Sequence, residues 1–310
     1  MKKMLFNATR GNILFFLLFF SFTMSACAQQ ISSAQQTQTV IHQQTFKASF
    51  KIPQKLTFAG EPVPIEEDDI RERLERELIV SANRHAAMLY LFKKENRWKK
   101  SILDTLEKYN VPKDFYYLAI AESDLDVYAQ SPKKALGIWQ FMEDTGKEYK
   151  LEINKHLDER RDPLKATTAA AKFFLDAYKK FGNWTSVAAS FNRGMNGMQR
   201  ALENQKEVSY YNLYLNPETS RYVFRILSLK IILENPQEFG FCIEENEKYA
   251  PYEYEIFEVK ENIEDLVEFA KLRGTNFKML KLLNPALEVS EYKLHLHKGK
   301  NYFLRLPVRK

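Results

Sequence analysis

Apolar positions along this chain fall into two textures, and the change between them divides it. Across residues 66–109 they return every four residues: Ile70, Leu74 and Leu78, then Trp98, Ile102 and Leu106, a spacing that predicts amphipathic helices. Acidic residues at 66–69 sit where a helix N-terminus favours negative charge. Lys93 opens a basic cluster, residues 93–100, that reads as a solvated face. Residues 115–121 differ in kind, since FYYLAIA has no polar face and predicts a helix buried on all sides, closed by Glu122. Val111-Pro112 upstream suits a helix start, because proline fixes φ near the helical value. Asp162-Pro163 opens another helix as N-cap and first helical residue, and Gly182-Asn183 stops it. Small residues at 166–171 let a neighbour approach closely, while Phe173, Phe174 and Tyr178 fill space. A short helix over 184–191 ends at Asn192-Arg193-Gly194, another runs through Met198 and Leu202, and a long one covers 218–234 before Pro236. No strand pattern interrupts this region, so 61–240 reads as one helical domain.

After Phe241 the period changes. Residues 252–259, YEYEIFEV, alternate in strand fashion. Ile263, Leu266, Phe269 and Ala270 return to helical spacing and stop at Gly274; residues 277–283 give a second short helix, and 302–307 a closing strand. The fold class expected is therefore mainly α, with a small α+β module in β-α-α-β order at 250–310.

The amino terminus is a targeting segment. Lys2, Lys3 and Arg10 precede an apolar run at 13–20, then small residues lead to Cys27, giving a signal peptide over 1–27. The apolar run is too short to span a bilayer. Removing three cations from 46 leaves 43 against 40 acids, so the formal charge falls from +6 to +3. With so modest a balance and no basic, aromatic-interleaved patch, nucleic acid is not an expected partner. Residues 28–60, rich in Gln, Ser and Thr at the start, read as a flexible tether whose folded edge is marked by Pro62 and Pro64. Met24-Ser25-Ala26-Cys27 resembles a bacterial lipobox, which makes Cys27 a candidate for lipidation; Ala26-Cys27-Ala28 also fits ordinary secretory cleavage. Either route leaves Cys242 as the one mature cysteine, so no internal disulfide is expected, and the five histidines lack metal-ligand spacing. No metal and no cofactor are expected.

The candidate chemistry sits at Glu122. A carboxylate ending a buried helix is desolvated and faces the negative end of the helix dipole, and both raise its pKa. A carboxyl protonated near neutral pH is a general acid. The plainer reading is a glutamate that marks the solvent end of a core helix.

The residues downstream favour the acid. Glu122-Ser123, then Ala129, Ser131, Ala135 and Gly137-Ile138-Trp139-Gln140-Phe141-Met142, resemble the catalytic signature of lytic transglycosylases, relatives of goose-type lysozyme. Asp158-Glu159-Arg160-Arg161-Asp162-Pro163, Ala189-Ser190-Phe191-Asn192-Arg193-Gly194 and Glu218-Thr219-Ser220-Arg221-Tyr222-Val223 come after them in that family's order. The resemblance is to the membrane-bound lytic transglycosylase D type, and residues 250–310 look like a LysM-type glycan-binding module. It implies a lysozyme-like domain that cleaves the β-1,4 bond between N-acetylmuramic acid and N-acetylglucosamine and leaves a 1,6-anhydro end. Glu122 would be the sole catalytic acid and base.

The same resemblance implies that Ser123, Ser131, Gly137, Gln140, Phe191, Asn192 and Tyr222 line the substrate site. Trp139 is expected in the core, Asp158 to Asp162 as a structural salt-bridge turn, and Asp124 and Asp126 outside the mechanism. Two positions depart from the family: Phe191 stands where a tyrosine is usual, removing a hydroxyl near the acid, and Lys134 replaces a glycine at a turn. The partners implied are peptidoglycan glycan strands and a membrane reached through a lipid anchor, for a monomer on the periplasmic side of the envelope. The module is expected to fold separately and to add affinity without chemistry. A non-catalytic wall-binding scaffold and a lysozyme-type hydrolase remain the alternatives.

Overall fold

The computed structural model describes residues 50–308 apart from 289, 291 and 298. The signal segment, Cys27 and residues 28–49 of the expected tether lie outside the described residues.

A two-residue hairpin, β1 (Thr57–Phe58) and β2 (Glu61–Pro62), precedes the helices. The four-residue periodicity resolves into α1 (Asp68–Ala82), α2 (His85–Lys94) and α3 (Lys99–Lys108). The continuous apolar run forms α4 (Phe115–Ser123), with Phe115, Leu118, Ala119 and Ile120 fully buried. A short α5 (Glu143–Glu148), which has no apolar periodicity to announce it, carries two acidic residues in its first turn. Next come α6 (Pro163–Phe181), α7 (Trp184–Arg193), α8 (Met195–Gln205) and α9 (Pro217–Glu234). The caps expected around α6 are present, whereas Gly194 follows α7 at φ 78° and ψ 144°, outside the left-handed helical region, and α4 begins at Phe115, beyond Pro112. The Asp162 carboxylate accepts from the backbone N–H groups of Leu164 and Lys165, Gly182 closes α6 at φ 68°, and Asn183 caps α7.

The helix α9 is the axis of the domain. It packs against α1, α4 and α7, and apolar residues from Val223 to Ile232 are buried on most of its faces. Burial this complete leaves its one deep cation, Lys230, in need of partners. Lys230 Nζ donates to Asp114 Oδ2 at 2.5 Å and to the Thr57 carbonyl, and the same Asp114 oxygen accepts from Ala59 N. That network ties the amino-terminal hairpin to the core. The folded edge therefore lies ahead of Pro62 and Pro64: Phe58 is 0% exposed and Phe50 stacks on Phe239 with ring centroids 5.0 Å apart. Phe50, Ile52, Leu56 and Phe58 supply the apolar surface that the polar composition upstream had masked.

The carboxyl-terminal module contains β3 (Tyr254–Val259), α10 (Leu266–Leu272), α11 (Phe277–Leu283) and β4 (Tyr302–Pro307), with β3 and β4 antiparallel. Val259, Leu266, Leu280, Leu287 and Leu304 form its core. That core includes Leu157 from the helical domain, so the module is packed against its neighbour rather than standing apart. No helix among the described residues is long and apolar enough to cross a membrane.

Candidate active site

Glu122 lies one residue before the end of α4, where the chain leaves the helix through two consecutive left-handed residues, Asp124 (φ 49°) and Leu125 (φ 61°). Such residues cost about 1 kcal/mol or more each and persist only where the surroundings over-determine them. Here Leu125 is buried, and Asp124 is held by Arg84 Nη2 at 2.5 Å. Asp126 accepts from Tyr128 N and stabilises the following turn. Both aspartates are thus engaged away from the acid, as their place in a turn suggests.

Opposite Glu122 stands α9. Glu218, Tyr222 and Arg225 occupy positions i, i+4 and i+7 and so share one face of that helix. Tyr222 is 2% exposed, and its hydroxyl donates to Glu122 Oε1. Burial and the adjacent carboxylate hold the Tyr222 phenol well above its ordinary pKa, so it stays a donor throughout the physiological range. Glu122 keeps some solvent access as a residue, yet its carboxyl is enclosed enough that desolvation dominates and pushes its pKa up to about 7. The Tyr222 hydrogen bond and the Arg225 charge pull the value down, and the Glu218 charge adds to the rise. The result is a carboxyl group that can both give and take a proton near neutrality.

Arg225 is oriented in its turn by α1. Glu77, 1% exposed, accepts from Arg221 Nε at 2.6 Å and lies 4.0 Å from Arg225 Nε. Neither Arg225 nor Glu77 was among the residues expected at the site. The signal for Arg225 was its spacing from Tyr222 along α9, which a local motif does not display, whereas Glu77 reaches it from α1 across the fold.

The remaining expected site residues find partners within the protein. Asn192, at the end of α7, donates to Glu218 Oε1 and accepts from Thr219 Oγ1, both at 2.9 Å, and so joins α7 to the first turn of α9. Ser123 Oγ donates to the Ile138 carbonyl at 3.0 Å. Ser131 Oγ accepts from Ala135 N, closing the turn that carries Lys134. Gln140, itself left-handed at φ 49°, donates to the carbonyls of Ala129 and Gly137. Gly137 permits a close approach, but to protein: a Cβ there would lie 1.9 Å from the Arg160 carbonyl oxygen, and φ is +76°. Phe191 joins Trp139, Phe141, Phe173 and Phe174 in an aromatic cluster, and Trp139 is fully buried with Nε1 donating to Thr167 Oγ1.

One expectation changes. Lys134 does adopt positive φ, at 64°, despite its Cβ; its N–H donates to Ser131 and its carbonyl accepts from Arg160 Nη1, so both ends of the residue are held in the turn. Position 191 offers no hydroxyl; the one that reaches the acid comes from Tyr222 on α9, a residue already expected at the site.

Comparison with known proteins matches two stretches of this chain. Residues 100–214 match the family model of the transglycosylase SLT domain, and residues 255–310 match that of the soluble lytic transglycosylase C-terminal LysM-like domain. The chain thus carries an SLT transglycosylase domain of lysozyme-like, mainly helical fold, followed by a LysM-like domain. It is similar to membrane-bound lytic murein transglycosylase D of Escherichia coli (strain K12), with 32% identity over 180 residues, covering 56% of this chain and 39% of that protein. The protein of the same name from Escherichia coli O6:H1 gives the same identity and coverage. The chain therefore spans about two fifths of the length of these relatives. Glu122 falls inside the SLT match, whereas Glu218, Tyr222 and Arg225 lie beyond its end.

Proposed function

We propose that this protein is a peptidoglycan lytic transglycosylase in which Glu122 is the sole catalytic acid and base. The observation that carries the reading is the enclosed Glu122 carboxyl, poised near pH 7 and held by a phenol that stays protonated. Glu122 donates its proton to the glycosidic oxygen as the C1–O bond of N-acetylmuramic acid breaks. The resulting carboxylate takes the proton of the C6 hydroxyl on the same sugar, whose oxygen closes onto C1. Glu122 ends protonated, no water is consumed, and the product carries a 1,6-anhydro ring. A hydrolase needs a second carboxylate, at about 5 Å as nucleophile or farther off as base. Tyr222 serves the acid by steadying its charged form, which exists between the two transfers. Asn192, bonded to Glu218, and Gln140 are the amides offered to sugar N-acetyl and hydroxyl groups.

Glu122→Gln should lower turnover at least about a hundredfold, the scale of general acid–base catalysis, while binding to sacculi is retained. Mass spectrometry of wild-type digests should show anhydro ends. Glu218, whose charge reaches Glu122, is the carboxylate on which a two-acid hydrolase would depend. If Glu218→Gln were as damaging as Glu122→Gln and the products carried reducing ends, that hydrolase would replace this mechanism. A wild type that released no products would instead favour the wall-binding scaffold.

The location proposed is the periplasmic face of a membrane, with Cys27 lipidated and the following polar residues as tether. Lipid chains together hold a protein where one alone binds marginally. The similarity to proteins named as membrane-bound supports envelope association. Cys27→Ser should move the protein from the membrane to the soluble fraction or arrest its processing; a wild-type protein found soluble and starting at Gln29 would overturn the anchor.

A further inference from the structure

We propose that the LysM-like module is a positioning element of the catalytic site, acting through the turn at residues 152–162; the inference rests on Glu122 being the acid. The module and this turn are joined in three independent ways. Their backbones pair: Asp158 N donates to the Ala286 carbonyl and Glu288 N to the His156 carbonyl, both at 2.8 Å, with Leu157 bridging to Leu287. Their apolar surfaces merge, since Leu157 is 7% exposed and belongs to the module core. Their charges lock, with Arg305 Nη1 2.9 Å from Asp162 Oδ2, Arg161 paired to Glu288, and Lys300 and Tyr302 on Glu152.

The other side of the same turn holds the wall of the site. Arg160 grips Asp158 through Nε and Nη2, and its Nη1 donates to the carbonyls of Lys134 and Phe141 at 3.1 and 3.2 Å. Its own carbonyl presses on Gly137. Those contacts set the 134–141 turn, whose Ile138 carbonyl accepts from Ser123, the residue next to Glu122. A second route is direct: the Tyr128 hydroxyl, on the loop leaving α4, donates to the Lys281 carbonyl of α11 at 3.4 Å, and Lys281 Nζ lies 5.7 Å above the Tyr128 ring. Nothing in this relay touches the acid itself, so Arg161, Glu288 and Arg305 are positioning residues. The module thus carries charge onto Arg161, beside Arg160, and onto Asp162, the N-cap of α6.

The test uses the full chain with the Arg161–Glu288 pair reversed. The two side chains are 18% and 26% exposed, so exchange of their charges leaves the cores intact. Arg161→Glu and Glu288→Arg alone should each lower kcat on short soluble glycan strands about tenfold, with KM within about twofold, because a misplaced catalytic group costs rate rather than binding. In the same variants, hydrogen exchange of the Gly137 and Leu136 amides should accelerate, although both lie far from the substituted pair in sequence. The double variant should regain kcat to within about threefold and restore slow exchange. The exchange measurement does not depend on the reaction: accelerated and rescued exchange in a protein that releases no anhydro product would uphold the relay and reject the catalytic reading. If the single variants lose only sacculus binding, with kcat and exchange unchanged, the module is a binding appendage and the proposal is wrong. Loss of kcat that the double variant fails to rescue, without any change in exchange, overturns it equally.

Discussion

Among the regions where this protein holds carboxylates away from bulk water, two treat them in opposite ways. At the seam between the helical domain and the module, Asp158 receives a two-pronged guanidinium, Asp162 an arginine and two backbone N–H groups, and Glu159 a lysine and the Glu152 N–H. At the end of α4, Glu122 receives one phenol, while Arg225 acts only through its field. Removing a charge from water is costly unless hydrogen bonds and opposite charge replace the lost solvation. Where replacement is complete the groups fix a shape. Where it is left incomplete the group holds its proton to higher pH, and that retained proton is what acid catalysis uses. Backbone of positive φ follows the acid directly, at Asp124 and Leu125.

Breaking the satisfied side should have the largest effect. Arg160→Met removes the partner of a buried aspartate and the donor to two carbonyls, and should destabilise the fold by about 3–5 kcal/mol in urea unfolding. A loss below about 1 kcal/mol would mean that the seam tolerates an unpaired Asp158, and the contrast would collapse.

The unsatisfied side should respond with the opposite sign. Glu122 has a folded pKa of about 7 against an ordinary value of 4.5, so the folded state binds its proton more tightly than the unfolded chain does. Its burial therefore costs nothing below the unfolded pKa and grows as pH rises through the folded one, to at most about 3 kcal/mol at 1.4 kcal/mol per pH unit. Glu122→Gln should be more stable than wild type at pH 8 by up to that amount, and the two melting curves should converge near pH 4.5. A glutamine variant that is less stable at pH 8 would show that Glu122 is well solvated as an anion.

The two regions also differ in how far the sequence reveals them. Glu122 was legible because a helix with no polar face that stops at a carboxylate can hardly avoid enclosing it, and the helical order of the domain followed from spacing and caps such as Asp162-Pro163. The β-α-α-β order of the module was legible in the same way. The seam was not. Asp158 to Asp162 read as a local salt-bridge turn, and part of it is, but Arg161 and Asp162 pair with Glu288 and Arg305, over a hundred residues away. No periodicity records a contact of that range. The Glu77 pairing with Arg221 and Arg225 escaped for the same reason. Phe58 was hidden by composition, since a few apolar residues at the end of a Gln- and Ser-rich stretch look like part of it. Tyr222 stood out in its motif, but its contact with Glu122, from a different helix, has no local signal.

The smallest change that sharpens the comparison is Tyr222→Phe, which deletes a single oxygen. The phenol hydrogen bond favours the charged form of Glu122, so its loss should raise the carboxyl pKa above about 7. The acid must be protonated to begin the reaction, and kcat/KM in the wild type should therefore fall as pH rises through about 7. In the variant that alkaline limb should move to higher pH. The plateau should at the same time drop about tenfold, because the carboxylate formed after proton donation loses a charge-assisted hydrogen bond of roughly 1.5–3 kcal/mol. Arg225→Met should move the limb the same way but less, since it removes a field and no hydrogen bond. A purely structural role for Tyr222 would lower the plateau and leave the limb in place, and a shift to lower pH would mean that the phenol stabilises the neutral acid instead. Only a raised limb with a lowered plateau identifies Tyr222 as the group that steadies the anion while leaving Glu122 able to take its proton back.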